Sequence, residues 1–121
     1  MEINLAKKGD LQILSVKGKI RVQSWRVLDK HLDTLLAKGC RWVALDLGEV
    51  SLMCSTGVGS IMHNVRKFEE HECTLMLISS TQYVQELFTL FGCNAVVGDN
   101  IFPDWEALEK RLKSQGLAMN E

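Results

Sequence analysis

The most informative part of the chain is residues 42–59, which read WVALDLGEVSLMCSTGVG. It opens on a run of apolar residues that predicts a strand, at residues 41–47. A short connection then delivers two hydroxyl side chains, Ser55 and Thr56, to the start of a predicted helix. Backbone N–H groups at a helix start have no partner within the helix, and the helix dipole is positive there. A hydroxyl at this position can therefore cap the helix, and it can also carry a phosphate in a favourable field.

The chain before this stretch predicts a hairpin and a helix. Residues 3–7 fit a short edge strand, and residues 9–10 turn it into a second strand at residues 11–20. A helix then begins at Ser24, a good N-cap residue, and its apolar residues recur at helical spacing. Gly39 ends this helix as the glycine that follows the last turn.

The chain after this stretch alternates between helices and strands, which is typical of parallel crossovers. A helix is predicted from Ser55 into the charged run at residues 66–72, and a strand follows at residues 73–78. The next helix is capped by Ser80 or Thr81 and closed by Gly92. A short strand at residues 95–98 and a last helix, with Pro103 at its first position, complete the prediction. The sequence thus predicts one α/β domain over residues 1–114, a mixed, mostly parallel sheet with about four helices packed against it. Residues 115–121 are predicted to be a frayed tail.

Composition argues against several classes of function. The 121 residues carry a formal net charge of −1. No basic stripe with interleaved aromatic residues is present, so nucleic-acid binding is not expected. No apolar run approaches the roughly 20 residues of a membrane span, and the first residues lack signal-peptide features. We therefore expect a cytoplasmic protein without direct membrane insertion, in which the four cysteines are reduced and three of them face the core.

Motifs for nucleotide loops, hydrolases and metal sites are incomplete. Residues 57–59 have the pattern Gly-x-Gly, but Met62 stands where a dinucleotide loop has its third glycine. Ser55 lacks the glycine pattern of a serine hydrolase, and His63 lies too far along the same predicted helix to reach it. The other two histidines lie on other elements and stay open as partners. Histidines and cysteines show no metal-ligand spacing. We expect no enzyme, cofactor or metal site; the plainest alternative for Ser55 is a helix cap.

The quoted stretch resembles the signature of STAS domains, and most clearly that of bacterial anti-sigma factor antagonists. The resemblance rests on the sequence DL at residues 46–47 and the sequence MCSTGVG at residues 53–59. Three further segments resemble the family's strand ending, the lead into its third helix and the ending of that helix: GKI at residues 18–20, TQYVQELF at residues 81–88 and LFG at residues 90–92. The likeness extends from about residue 11 to residue 112 and implies a STAS-like fold.

This resemblance implies a switch protein that is not an enzyme. In the family, a serine kinase that is also the anti-sigma factor phosphorylates the hydroxyl at the position of Ser55. The unphosphorylated antagonist binds this kinase and frees the sigma factor, phosphorylation prevents binding, and a phosphatase restores the active form. Thr56 is the second candidate acceptor. The partner-binding face is expected to include Arg21, Cys54, Ser55, Thr56, Gly57 and Gly59.

Two residues of this face differ from the family pattern. Cys54 stands where an Asp usually precedes the acceptor serine, and Arg21 stands where an acidic residue often follows the first long strand. A phosphate on Ser55 would then face less negative charge, and Arg21 could pair with it. Equally, the changes could abolish kinase recognition and leave a constitutive binding module.

Two other functions stay open. STAS domains also serve as accessories of membrane transporters, so the main alternative is an accessory subunit that binds a transporter ATPase without a phosphoswitch. The second is a small-molecule or nucleotide sensor. The sequence is compatible with a homodimer and names neither the partner nor the oligomeric state.

Overall fold

A single five-stranded sheet organises the chain, in the order β1-β2-β3-β4-β5, in a computed structural model that describes residues 1–117. β1 is antiparallel to β2, and each following pair of neighbours is parallel. The strands are β1 Glu2–Lys8, β2 Leu11–Ile20, β3 Trp42–Met53, β4 Thr74–Ile78 and β5 Ile101–Phe102. This confirms the predicted mixed, mostly parallel sheet.

The described residues form five α-helices that cover the sheet, one more than the approximate number predicted. They are α1 Trp25–Ala37, α2 Ser55–Glu70, α3 Gln82–Leu90, α4 Cys93–Val97 and α5 Trp105–Ser114. Within residues 1–117, every helix is too short or too polar to span a bilayer. Of the predicted tail at residues 115–121, residues 118–121 lie outside the described part of the chain.

The core has two parts, one on each face of the sheet. The larger cluster joins α1, α2, α3 and α4 to the inward residues of β2, β3 and β4. The smaller cluster lies under α5, where Leu108 and Leu112 pack against residues that include Ala44 and Met76. The central strand β3 contributes to both clusters, as a nearly continuous apolar run does in a sheet covered on both faces.

β3 is longer than the strand predicted at residues 41–47, because it keeps pairing with β2 as far as Met53. Its other neighbour ends earlier: the last pair between β3 and β4 is Asp46 with Ile78. Residues 48–53 therefore have a strand on one side only, and only Val50 and Met53 among them are buried. That change in pattern made the sequence look like a connection where the strand in fact continues.

The strand predicted at residues 95–98 is wrong. Residues 93–97 form α4, and the last strand lies further on, at Ile101–Phe102. Cys93 and Val97 are spaced one helical turn apart and are the two buried residues of α4. The run of Ala95, Val96 and Val97 has the composition of a strand. The segment forms a helix instead, because Cys93 and Val97 lie on one face of it and are buried there.

Most other predicted helix boundaries are confirmed. Thr81 caps α3 by accepting a hydrogen bond from the backbone N–H of Val84 at 3.3 Å. Gly39 and Gly92 follow the ends of α1 and α3 with φ of 75° and 67°, which glycine adopts at little cost. Pro103 is not the first residue of α5: Asp104 follows it and caps that helix.

Polar contacts within the interface of α1 and α2 hold the two helices together. Asp29 Oδ1 accepts hydrogen bonds from Ser60 Oγ at 3.1 Å and from Asn64 Nδ2 at 2.7 Å. Asn64 is fully buried. One turn further along α1, Asp33 accepts a hydrogen bond from Lys67 Nζ at 2.7 Å, and this bond raises the pKa of Lys67. These contacts fix α2 against α1.

The two acidic residues of this interface should differ in their contribution to stability. Asp29→Ala removes one of the two acceptors of the buried Asn64 amide and leaves only the Ser60 carbonyl, so we expect the free energy of unfolding to fall by about 1–3 kcal/mol. Asp33→Ala is the matched control. Its ion pair with Lys67 is half exposed, and the loss should be at most about 1 kcal/mol. Urea unfolding measures both, and a larger loss for Asp33→Ala than for Asp29→Ala would contradict the assignment.

Candidate functional site

The predicted site lies where β3 ends and α2 begins, at the carboxyl edge of the parallel strands. β2 and β3 end side by side, since Ile20 pairs with Met53. The backbone N–H of the next residue, Cys54, donates to the Ile20 carbonyl at 2.9 Å. Cys54 has an extended backbone, and α2 begins directly after it at Ser55. The start of α2 is therefore anchored to the ends of two strands.

A sulfur atom caps α2. Cys54 Sγ accepts a hydrogen bond from the backbone N–H of Gly57 at 3.3 Å, and it lies 3.3 Å from Thr56 Oγ1. The alternative in which Ser55 is the N-cap is therefore wrong, because Ser55 is the first helical residue. Sulfur is a weak acceptor, so this cap binds the helix start less strongly than a carboxylate or hydroxyl would.

Both candidate phosphoacceptors are exposed. Ser55 and Thr56 lie on the surface, whereas Gly57 and Val58 directly after them are buried. The Ser55 hydroxyl makes no hydrogen bond to any other group in residues 1–117, and the first turn of α2 contains no acidic side chain. The Ser55 oxygen is thus open to a second protein and lies in the positive field of a helix start.

The two glycines of the first turns have different roles. A Cβ on Gly57 would lie 3.1 Å from Ile20 Cγ2 and 3.3 Å from Cys54 Sγ, so glycine lets the helix approach the end of β2 closely. A Cβ on Gly59 would meet nothing within 4 Å. Gly59 is exposed, and because it has no side chain, nothing at this position projects from the surface beside the hydroxyls.

Arg21 lies at the same edge of the sheet. It directly follows Ile20, whose carbonyl binds Cys54, and its own backbone N–H donates to Ser24 Oγ at 3.0 Å. The residue is exposed, and among residues 1–117 its guanidinium has neither a hydrogen bond nor an ion pair. The structure therefore brings Arg21, Cys54 and the two hydroxyls to one edge of the sheet and leaves the Arg21 charge available.

Three exposed residues beside the hydroxyls were missed by the sequence reasoning. Tyr83 in α3 accepts a hydrogen bond at its Oη from the backbone N–H of Met53 at 3.0 Å. Leu52 pairs with Lys19 at the end of β2. The exposed fractions are 67% for Val22, 39% for Leu52 and 38% for Tyr83, which is high for such side chains. An aromatic residue on the polar side of α3 was the available signal.

We call the surface formed by these residues and the site the docking face: Arg21, Val22, Leu52, Cys54, Ser55, Thr56, Gly59 and Tyr83.

The histidines lie apart from the hydroxyls. His31 Nδ1 is 2.8 Å from the Val27 carbonyl, and His71 Nδ1 is 2.8 Å from the Lys67 carbonyl. His63 is exposed on α2, beyond its first two turns. Within the described chain, none of the three is hydrogen bonded to Ser55, so the nucleophile–base pair left open by the sequence is not formed.

All four cysteines are free thiols. Cys40, Cys73 and Cys93 pack in or against the larger core cluster, in agreement with the prediction that three face the core. Burial raises the pKa of the Cys93 thiol. Cys54 is the one described cysteine at the docking face.

Comparison with known proteins gives a family and a set of similar folds. A family model described as "Mlab, STAS domain" matches residues 3–98. A search among curated proteins found no match. Among solved structures, an anti-sigma factor antagonist from Mycobacterium paratuberculosis has a TM-score of 0.82 at 14% identity, over 93% of each chain.

Two further solved structures are those of an anti-sigma factor antagonist and an anion transporter. The anti-sigma factor antagonist SpoIIAA in its unphosphorylated form has a TM-score of 0.70 at 15% identity, over 96% of this chain and 100% of that one. The murine anion transporter Slc26a9 has a TM-score of 0.72 at 12% identity, over 90% of this chain but only 18% of that one. At these identities the likeness concerns the fold alone. With the family model matched over most of the chain and the fold shared, the chain belongs to the STAS domain family.

Proposed function

We propose that this protein is an anti-sigma factor antagonist whose binding is switched by phosphorylation of Ser55, with Thr56 as the alternative acceptor. One observation carries the proposal: the Ser55 hydroxyl is exposed and unbonded at the first residue of a helix anchored to two strands. The unphosphorylated protein binds an anti-sigma factor that is also a serine kinase, and a phosphatase removes the phosphate. The protein itself acts in the cytoplasm, not as an enzyme, and needs no cofactor.

The fold can accept this modification without rearrangement. A phosphate adds a charge of about −1.5 to −2 and three acceptor oxygens. At an exposed helix start, the dipole favours such a charge by about 0.3–1 kcal/mol. No acidic side chain lies in the first turn of α2, and the free Arg21 guanidinium lies at the same edge of the sheet. The phosphate is therefore tolerated in the free protein.

The same phosphate opposes a bound partner. Val22, Leu52 and Tyr83 make the docking face partly apolar, and a protein that covers them also removes water from Ser55. An unpaired charge left in such an interface costs several kcal/mol, and each 1.4 kcal/mol weakens binding about tenfold. A single phosphate is thus enough to release the partner.

Phosphorylation should occur at one residue. When the protein is incubated with its cognate kinase and ATP, mass spectrometry should find one phosphate, on Ser55. Ser55→Ala should abolish the label, and the matched variant Thr56→Ala should keep it, because both hydroxyls are exposed but only Ser55 is assigned as acceptor. Label on Thr56 would move the switch to the alternative acceptor. Label on neither hydroxyl, with a kinase of verified activity, would defeat the switch.

A negative charge at Ser55 should separate binding from stability. We expect Ser55→Asp to weaken binding to the anti-sigma factor at least about tenfold, since the charge must lose water at the interface. Ser55→Ala should bind like the unmodified protein. The melting temperature of Ser55→Asp should not fall, because the helix dipole favours the charge. Calorimetric titration and thermal unfolding measure the two effects; undiminished binding of Ser55→Asp would contradict the proposal.

A transporter accessory is the second candidate. The matching family model bears the name Mlab, and an anion transporter shares the fold. Cys54 and Arg21 in place of acidic residues fit a constitutive binding module as well as a switch. Capture of partners from the source cell distinguishes the two functions. A captured histidine-kinase-type ATPase supports the antagonist. A captured transporter ATPase subunit supports the accessory, provided that it binds the Ser55→Asp and Ser55→Ala variants with equal affinity. Micromolar nucleotide binding without a protein partner would instead favour a sensor.

A further inference from the structure

β1 is an edge strand with one side unpaired. Its seven residues pair with β2 alone, and no other strand of residues 1–117 lies on its outer side. The backbone N–H and C=O groups on that side can form hydrogen bonds to a strand of another chain. Addition of a strand to such an edge is a common mode of protein recognition.

The face of β1 that looks toward α1 exposes an apolar residue. Leu5 pairs with the buried Leu14 but is itself 51% exposed. Val27 in α1 is 48% exposed and lies across from it. Both line a groove of about 400 Å³ between β1 and α1, with Leu14 and Leu35 also in its wall and Lys30 and Lys38 at its rim. Leu5 and Val27 thus add an exposed apolar surface beside the unpaired edge of β1.

The opposite face of β1 carries complementary charges at its two ends. Residues alternate between the faces of a strand, so Glu2 and Lys8 lie on the same face, away from Leu5. Lys8 confirms this placement, because its Nζ is 3.3 Å from Glu109 Oε1 of α5. The strand thus begins with a negative charge and ends with a positive one, a pattern that complements itself when the strand is reversed.

We infer that β1 pairs antiparallel with β1 of a second copy of this chain, with Leu5 opposite Leu5. The two copies are related by a two-fold axis perpendicular to the sheet, so the face covered by α1 in one copy continues into the same face of the other copy. Because side chains alternate between the two faces of a strand, the allowed registers differ by steps of two residues. In the register centred on Leu5, Glu2 faces Lys8 of the other copy. The Lys8 ammonium is then shared between this carboxylate and Glu109 of its own chain, and the contact forms twice. A shift by two residues places Glu2 opposite Ala6 or Lys8 opposite Asn4, and both ion pairs are lost.

This pairing joins the two sheets into one and covers both exposed leucines. The mouths of the two grooves then face each other, with the lysine rims on the same side. Repulsion between these rims limits the affinity, so the dimer is a weak one. The dimer leaves both docking faces free. In each copy the docking face lies at the carboxyl ends of β2 and β3, which is the Glu2 end of β1. Because the two β1 strands run antiparallel, the docking faces of the two copies lie at opposite ends of the joined sheet.

Sedimentation equilibrium over a range of protein concentrations tests the dimer. The unmodified protein should show reversible dimerisation, and Leu5→Lys should raise the dissociation constant at least about tenfold. Leu90→Lys is the matched control: Leu90 is 78% exposed, lies on α3 and should leave the dimer unchanged. Circular dichroism verifies the fold of each variant. A protein that stays monomeric up to millimolar concentration, or a dimer indifferent to Leu5→Lys, would overturn the inference.

A charge exchange tests the register. Glu2→Lys alone places lysine opposite lysine, and Lys8→Glu alone places glutamate opposite glutamate, so each variant should dimerise less than the unmodified protein. An equimolar mixture of the two variants restores both ion pairs and should dimerise more strongly than either variant alone. Absence of this recovery would overturn the assigned pairing. The readout is molecular mass and needs no kinase, so it stands or fails independently of the phosphoswitch.

Discussion

The site depends on a backbone hydrogen bond, from the Cys54 N–H to the Ile20 carbonyl, which joins the end of β2 to the start of α2. Because β2 and β3 remain paired as far as Met53, the first turn of α2 is held by two strands. The hydrogen bond from Met53 to Tyr83 adds α3 to the same anchor. Asp29 and Asn64 fix the helix further along, against α1. The helix start is therefore rigidly placed, and its two hydroxyls still face solvent.

This arrangement separates the stability of the fold from the chemistry of its surface. Cys54 caps the helix, so the fold does not depend on a hydrogen bond from the Ser55 hydroxyl, and a charged group can be attached to this oxygen. A phosphate on Ser55, as proposed, would lie at a positive helix end with the Arg21 charge at the same edge of the sheet, so the free protein would have little reason to rearrange. A partner bound to the docking face would meet the same charge across a partly apolar surface, where loss of water makes it costly. The difference between these two environments is what a binding switch needs.

The sequence was sufficient to predict most of the fold, whereas the site residues remain a prediction. Apolar spacing and caps such as Thr81 and Gly39 predict helices correctly, because these signals act within one turn of the chain. The extension of β3 to Met53 was missed because it depends on β2, a distant part of the chain. Likewise, the contact of Tyr83 with Met53 joins elements 30 residues apart, and nothing local in either segment indicates it. The short helix at Cys93–Val97 shows the converse case, in which strand-like composition was overridden by packing.

The central claim is that Ser55 can gain a phosphate while the rest of the domain keeps its structure. The most direct test compares amide ¹H–¹⁵N spectra of the unmodified protein and the protein phosphorylated at Ser55. We expect shift changes confined to the start of α2 and its contacts, around Ile20, Arg21, Cys54 and Tyr83. Changes or broadening that extend to Asp29 and Asn64, in the interface of α1 and α2, would show that the fold itself responds to the phosphate and that Ser55 is not independent of it.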